Sequence, residues 1–155
     1  MKITKDYQGL TRAENGDYIL NGDLISEEGI EIDLDDRLFV TGSIKARCGI
    51  KARCGIKIGE GIEAGFGIEA GCGIKAGYGI EAGFGIEAGD GITAGCGITA
   101  GCGIKAGTYI DCGKRIFAGT SVYVDNDNCY KTIQCAELRN GTIVYGDLIC
   151  TPAVY

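Results

Sequence analysis

The chain has 155 residues, a formal charge of −6, one Pro, and neither His nor Trp. That length is one domain's worth, and the missing histidine removes Ser-His and Cys-His nucleophile pairs together with any histidine general base. A net negative chain is also a poor direct ligand for nucleic acid, whose phosphates attract Lys and Arg.

Residues 1 to 43 hold ten acids against Lys2, Lys5, Arg12 and Arg37, so the charge deficit sits there. Met1-Lys2-Ile3-Thr4-Lys5-Asp6 leads into polar residues rather than an apolar export core. No apolar run approaches the ~20 residues of a membrane helix, and a cytoplasmic protein is expected. Tyr18-Ile19-Leu20 and Leu24-Ile25 flank Asn21-Gly22-Asp23, which fits a hairpin or a coil corner. Ile30, Ile32 and Leu34 alternate with Glu31, Asp33 and Asp35, the pattern of a half-buried strand with an acidic outer face.

From Ile44 onward one six-residue unit, roughly G-I-x-A-G-x, is repeated, with Ile44, Ile50, Ile56, Ile62, Ile68, Ile74, Ile80, Ile86, Ile92, Ile98 and Ile104 in phase. The phase continues through Ile110, Ile116 and Val122 and reaches back to Leu38 and Ile32. A fixed short period repeats one backbone geometry, so each unit must bury its apolar residues against copies of itself, as a solenoid does. Helix is excluded, because each glycine costs about 1 kcal/mol relative to Ala and a six-residue spacing draws no stripe of period 3.6. In a short strand Ile and the Ala two places later share the inner face. The residue between them points outward: Lys45, Lys51, Lys57, Glu63, Glu69, Lys75, Glu81, Glu87, Thr93, Thr99 and Lys105.

The glycine after the Ala (Gly59, Gly65, Gly71, Gly77, Gly83, Gly89, Gly95, Gly101) marks a corner, where φ > 0 is expected. Arg47 and Arg53 stand at the same position and should be strained there. Units such as I-E-A-G-C-G and I-K-A-G-Y-G resemble the hexapeptide repeat of left-handed parallel β-helices, over Ile32 to Val124, about sixty per cent of the chain. The resemblance implies an all-β, single-domain parallel β-helix with three units, about eighteen residues, per triangular coil. A right-handed solenoid similar to the bactofilins is the alternative. The expected divisions are capping strands over 1–43, the solenoid over 44–124, and C-terminal capping strands over 125–155.

Four places after the Ile the resembled family carries a small inward residue. Here the position forms three columns: Cys48, Phe66, Phe84 and Cys102; Cys54, Cys72, Asp90 and Thr108; and Glu60, Tyr78, Cys96 and Lys114. The first reads as an apolar ladder, but burying Glu60, Asp90 or Lys114 unpaired would be expensive, so those sites flare open or the position is not uniformly inward. The nine cysteines, five of them in the repeat, read as reduced, core-filling thiols. Without His or a C-x-x-C pair no metal site is expected, and no cofactor. Beyond Thr108 the repeat degrades, Asp125-Asn126-Asp127-Asn128 interrupts it, and Asn140–Ile149 echoes Asn15–Ile25 with one residue fewer. Phe117, Tyr123 and Tyr155 are candidates for self-association, giving a homo-oligomer through the C-terminal end.

Acyl transfer, which the left-handed resemblance would imply, lacks its histidine here, so no enzyme is expected and a divergent, histidine-free acyltransferase is the remote reading. Glu63 over Glu81 and Glu69 over Glu87, with Glu31, Asp33 and Asp35, could form a negative strip on a stiff rod. That surface suits a protein partner, in particular a nucleic-acid-handling enzyme blocked by mimicry of its substrate, as pentapeptide-repeat gyrase binders do by analogy of shape and charge. A basic collar of Lys45, Arg47, Lys51, Arg53 and Lys57 is expected chiefly to balance the adjoining acids. The other expectation is a structural solenoid that assembles end to end.

Overall fold

The computed structural model describes residues 1–120 and 131–151. They contain twenty-one strands and no helix, wound as a parallel β-solenoid of about seven coils with about eighteen residues per coil. Because Ile and Ala alternate with a polar residue, each three-residue strand can turn one face inward and expose the other, while its edges pair with the coils on either side. Ile44–Ala46, Ile50–Ala52 and Ile56–Ile58 make one such coil.

Register follows the sequence period. Ile44, Ile62, Ile80, Ile98 and Ile116 stack in one column; Leu38, Ile56, Ile74, Ile92 and Ile110 form the second; Ile50, Ile68, Ile86 and Ile104 form the third, with Ile133 above. These isoleucines are at most 2% exposed. Each side chain so buried stabilises by about 2 kcal/mol before entropy is charged against it. The two faces built on Tyr18–Leu20 and Leu24–Ser26 count as one sheet because the ten-residue strand Tyr109–Ala118 runs round a corner and joins them.

The stack begins earlier than the expected boundary at residue 44. Tyr18–Leu20, Leu24–Ser26 and Ile30–Ile32 already pair in parallel with the coil above, so Asn21-Gly22-Asp23 is a coil corner rather than a hairpin, with Gly22 at φ +91°. The cap proper is smaller. Leu10–Arg12 folds antiparallel onto Tyr18–Leu20, Lys2–Ile3 adds to Ile30–Ile32, and Tyr7 and Leu10 pack against the core. At the other end Glu137–Tyr145 lies on Tyr109–Ala118 with register shifts, and Asp147–Cys150 lies on Thr132–Cys135. The echo between the two ends extends to the backbone: Gly16 and Gly22 have positive φ, as do Gly141 and Gly146. Val122, Asp125-Asn126-Asp127-Asn128 and the boundary at 124/125 lie outside the described residues.

Two expectations about the corners are corrected. None of Gly59, Gly65, Gly71, Gly77, Gly83, Gly89 and Gly95 has positive φ, and among the described residues no other residue type does either, so Arg47 and Arg53 are unstrained. Glycine is needed there for closeness instead. The corner backbone keeps hydrogen bonding from coil to coil, as Gly65 N–H to the Ala46 carbonyl at 3.0 Å and Phe66 N–H to the Cys48 carbonyl at 3.2 Å, and a Cβ on Gly65 would collide with the Arg47 carbonyl. The position four after the Ile also faces mostly outward, since Phe66, Tyr78 and Phe84 are 53%, 63% and 44% exposed, although Cys102 at the top of the Phe66/Phe84 column is buried.

Candidate interaction surface

Three columns run along the outside of the strands and three along the corners. On one face Lys2, Glu31, Lys51, Glu69, Glu87 and Lys105 stack in register. On the next, Lys45, Glu63, Glu81 and Thr99 do so. The expected neighbours Glu63/Glu81 and Glu69/Glu87 are therefore adjacent, but Lys51 and Lys105 bracket the second pair and Lys45 adjoins the first. Lys45 reaches Glu63 at 3.0 Å, Lys51 reaches Glu69 at 3.2 Å, and Lys105 reaches Glu87 at 2.7 Å, the last contact raising the Lys105 pKa. Glu31 pairs with Lys2 at 3.0 Å. Only Glu81 of this group makes no ion pair with a described residue, so these faces carry mixed rather than accumulated charge.

The acids and bases near the N-terminal end are likewise engaged with one another. Asp33 lies 3.3 Å from Lys2 and 3.6 Å from Arg53. Asp35 accepts a 2.7 Å hydrogen bond from the Tyr18 hydroxyl, which holds its carboxyl below the usual range and raises the tyrosine. Arg47 sits 3.8 Å from Glu27, and Lys57 lies over the Phe39 ring at 4.6 Å. Every residue of the basic collar thus has an intramolecular partner. Phe117 is half-buried and paired in register with Tyr145 of the next strand; Tyr123 and Tyr155 lie outside the described residues.

The corner columns hold what the sequence pattern obscured. Phe66 and Phe84 stack on the outside with ring centroids 5.4 Å apart and planes 7° apart. Beside Phe84 runs a groove of about 690 Å³ whose floor is Gly49, Gly67, Gly85 and Gly103 and whose far wall is Lys51, Glu69, Glu87 and Lys105. A floor without side chains lets a ligand's backbone approach closely. The charged residues Glu60, Asp90 and Lys114 in equivalent corner positions were the available signal that Phe66, Tyr78 and Phe84 face solvent.

A second groove, about 520 Å³, lies beside the next corner, between Cys54, Cys72 and Asp90 on one side and Lys75 and Thr93 on the other. Its chemistry is quiet. Desolvation raises the Cys54 pKa, and the thiol donates to the Asp35 carbonyl at 3.3 Å, so the nucleophilic thiolate is disfavoured. Among the described residues no three His, Cys, Asp or Glu side chains converge as metal ligands, and no helix is long and apolar enough to cross a membrane.

The cysteine expectation needs correction. Of the repeat-column thiols only Cys102, 7% exposed, is buried, whereas Cys112 and Cys135, both 0% exposed, lie outside that column; Cys112 takes the place of Ala94 one coil on. Cys48, Cys54 and Cys96 are partly exposed and Cys72 exposed, because the corner position points out. Seven described cysteines are free thiols, and Cys102 is disulfide-bonded. No protein family, curated protein or solved structure matches the chain.

Proposed function

We propose that this chain is a non-catalytic, rigid β-solenoid that binds a protein partner along its aromatic corner. The observation that carries this reading is the solvent-facing Phe66/Phe84 stack beside a glycine-floored groove with a charge-balanced rim. Interface energy concentrates on aromatic anchors surrounded by polar residues that contribute little on their own. An extended segment of the partner suits the groove, its backbone against the glycines and its apolar side chains against the phenyl edges.

A partner that handles nucleic acid remains part of this proposal, but the contact is assigned to the corner rather than to an acidic strip. Mimicry of a phosphate backbone needs accumulated negative charge, and the lysines beside Glu63, Glu69 and Glu87 oppose it. The acyltransferase reading draws only on the hexapeptide-like repeat and still lacks a histidine.

The test is affinity capture with three forms of the full chain: unaltered, Phe66→Lys/Phe84→Lys, and Glu63→Lys/Glu69→Lys/Glu81→Lys/Glu87→Lys. The expected result is a specific protein retained by the first and third and weakened at least about 30-fold by the second, the size of a hot-spot loss. Retention by the phenylalanine variant with loss by the glutamate variant would return the contact to the charged faces and overturn the assignment. Recovery of no specific protein by any form would remove the binding role.

A further inference from the structure

The two ends of the rod are finished differently. At the N-terminal end the innermost residues are sealed: Ile3 is 0% exposed, Leu24 2% and Leu20 8%, under the antiparallel strand Leu10–Arg12 and the ring of Tyr7. At the other end the last core layer has no lid among the described residues. Leu148 stands above Ile133 in the inward column, yet Ile133 is fully buried and Leu148 is 43% exposed. Cys150, above the buried Cys135, is exposed as well. All four residues of Asp147–Cys150 are exposed, and this strand ends its sheet, with Thr132–Cys135 as its one partner among the described residues. Val144 and Tyr145 add 50% and 47% exposed apolar surface nearby.

From this asymmetry we propose that the C-terminal end docks against the same end of a second copy, giving a closed two-fold dimer with the rods end to end. Three features select that occupant. Head-to-tail growth would require a matching open core at the N-terminal end, which the antiparallel strand occupies. The surface is self-complementary in charge, because Lys131 and Asp147 (3.6 Å apart) and Arg139 and Glu137 (3.0 Å apart) place both signs beside the apolar strip, as an isologous contact requires. The outer edge of Asp147–Cys150 has no strand partner among the described residues, and a two-fold axis sets that edge antiparallel to its copy, with Leu148 of each chain entering the other's open core layer. This inference is independent of the partner groove, which lies on the side of the rod.

The experiment is multi-angle light scattering across a concentration series, with small-angle X-ray scattering on the same samples. The expected result is a species of twice 16.2 kDa whose longest dimension is nearly double that of the monomer. Leu148→Lys is expected to return the protein to monomer with an unchanged circular dichroism spectrum, and Ile25→Lys, at the sealed end, to leave the dimer intact. If Leu148→Lys fails to fold, the scattering profile of the unaltered chain still decides. A strictly monomeric chain, a side-by-side dimer with no gain in length, a filament longer than two rods, or a folded Leu148→Lys that remains dimeric would each overturn the proposal.

Discussion

Gly77 and Gly79 stand two residues apart in one repeat unit and answer to different constraints. A Cβ on Gly77 would fall on the Gly59 carbonyl in the coil beneath, whereas one on Gly79 would rest 3.4 Å from the Gly97 oxygen, an ordinary contact. Gly77→Ala should therefore disturb the 3.0 Å bond from Gly77 N–H to the Ile58 carbonyl and cost about 3 kcal/mol. Gly79→Ala should stay within about 1 kcal/mol; urea melts of the two variants make the comparison. The sequence announced that these glycines mattered but suggested a dihedral reason, because a period of six says that the chain turns and not how close the turns lie. Cys135 offers a second reading at this scale. Burial pushes its thiol from 9.0 to about 11, so the unfolded chain ionises first as the pH rises. Stability unaffected below about pH 9 should fall between 9 and 11, and Cys135→Ala should flatten that part of the profile. At neutral pH Cys72 should react with a thiol reagent well before Cys112 or Cys135.

A strand of this solenoid is three residues long, too short to hold alone, and its stability comes from stacking in register. Register was legible beforehand because a slip of one residue would send every isoleucine into water, and the neighbours Glu63/Glu81 and Glu69/Glu87 followed directly from it. What the columns do electrostatically was less legible, since Lys45 and Lys51, which adjoin those pairs, had been read as part of a separate collar. Glu81 is the exception that remains, adjacent to Glu63 and without an ion pair to a described residue. Glu81→Lys should stabilise by a few tenths of a kcal/mol by turning a like-charge neighbour into an opposite one. The gain should shrink in high salt, which thermal melts at two ionic strengths would show. The outward columns at the corners were the least legible element, because Cys and Phe there mimic core residues until their charged equivalents Glu60 and Asp90 are given equal weight.

Over the whole molecule, inside and outside obey different periods. The core repeats every six residues, because Ile and Ala recur on all three faces, while each outer column repeats only once per coil of about eighteen. Removing residues 71–88, one whole coil, should leave a shorter folded rod in which every surviving corner residue keeps its column. Removing only 71–76 should also fold, since isoleucine still follows isoleucine, but Asp90 would then stand where Phe84 does now, above Phe66. Circular dichroism should scarcely separate the two deletions, whereas aromatic stacking read by near-ultraviolet spectra of the six-residue deletion should change. Slippage during replication could lengthen or shorten such a gene by hexads with no penalty to packing, so any lineage that depends on its surface must discard all length variants except those that arrive in threes.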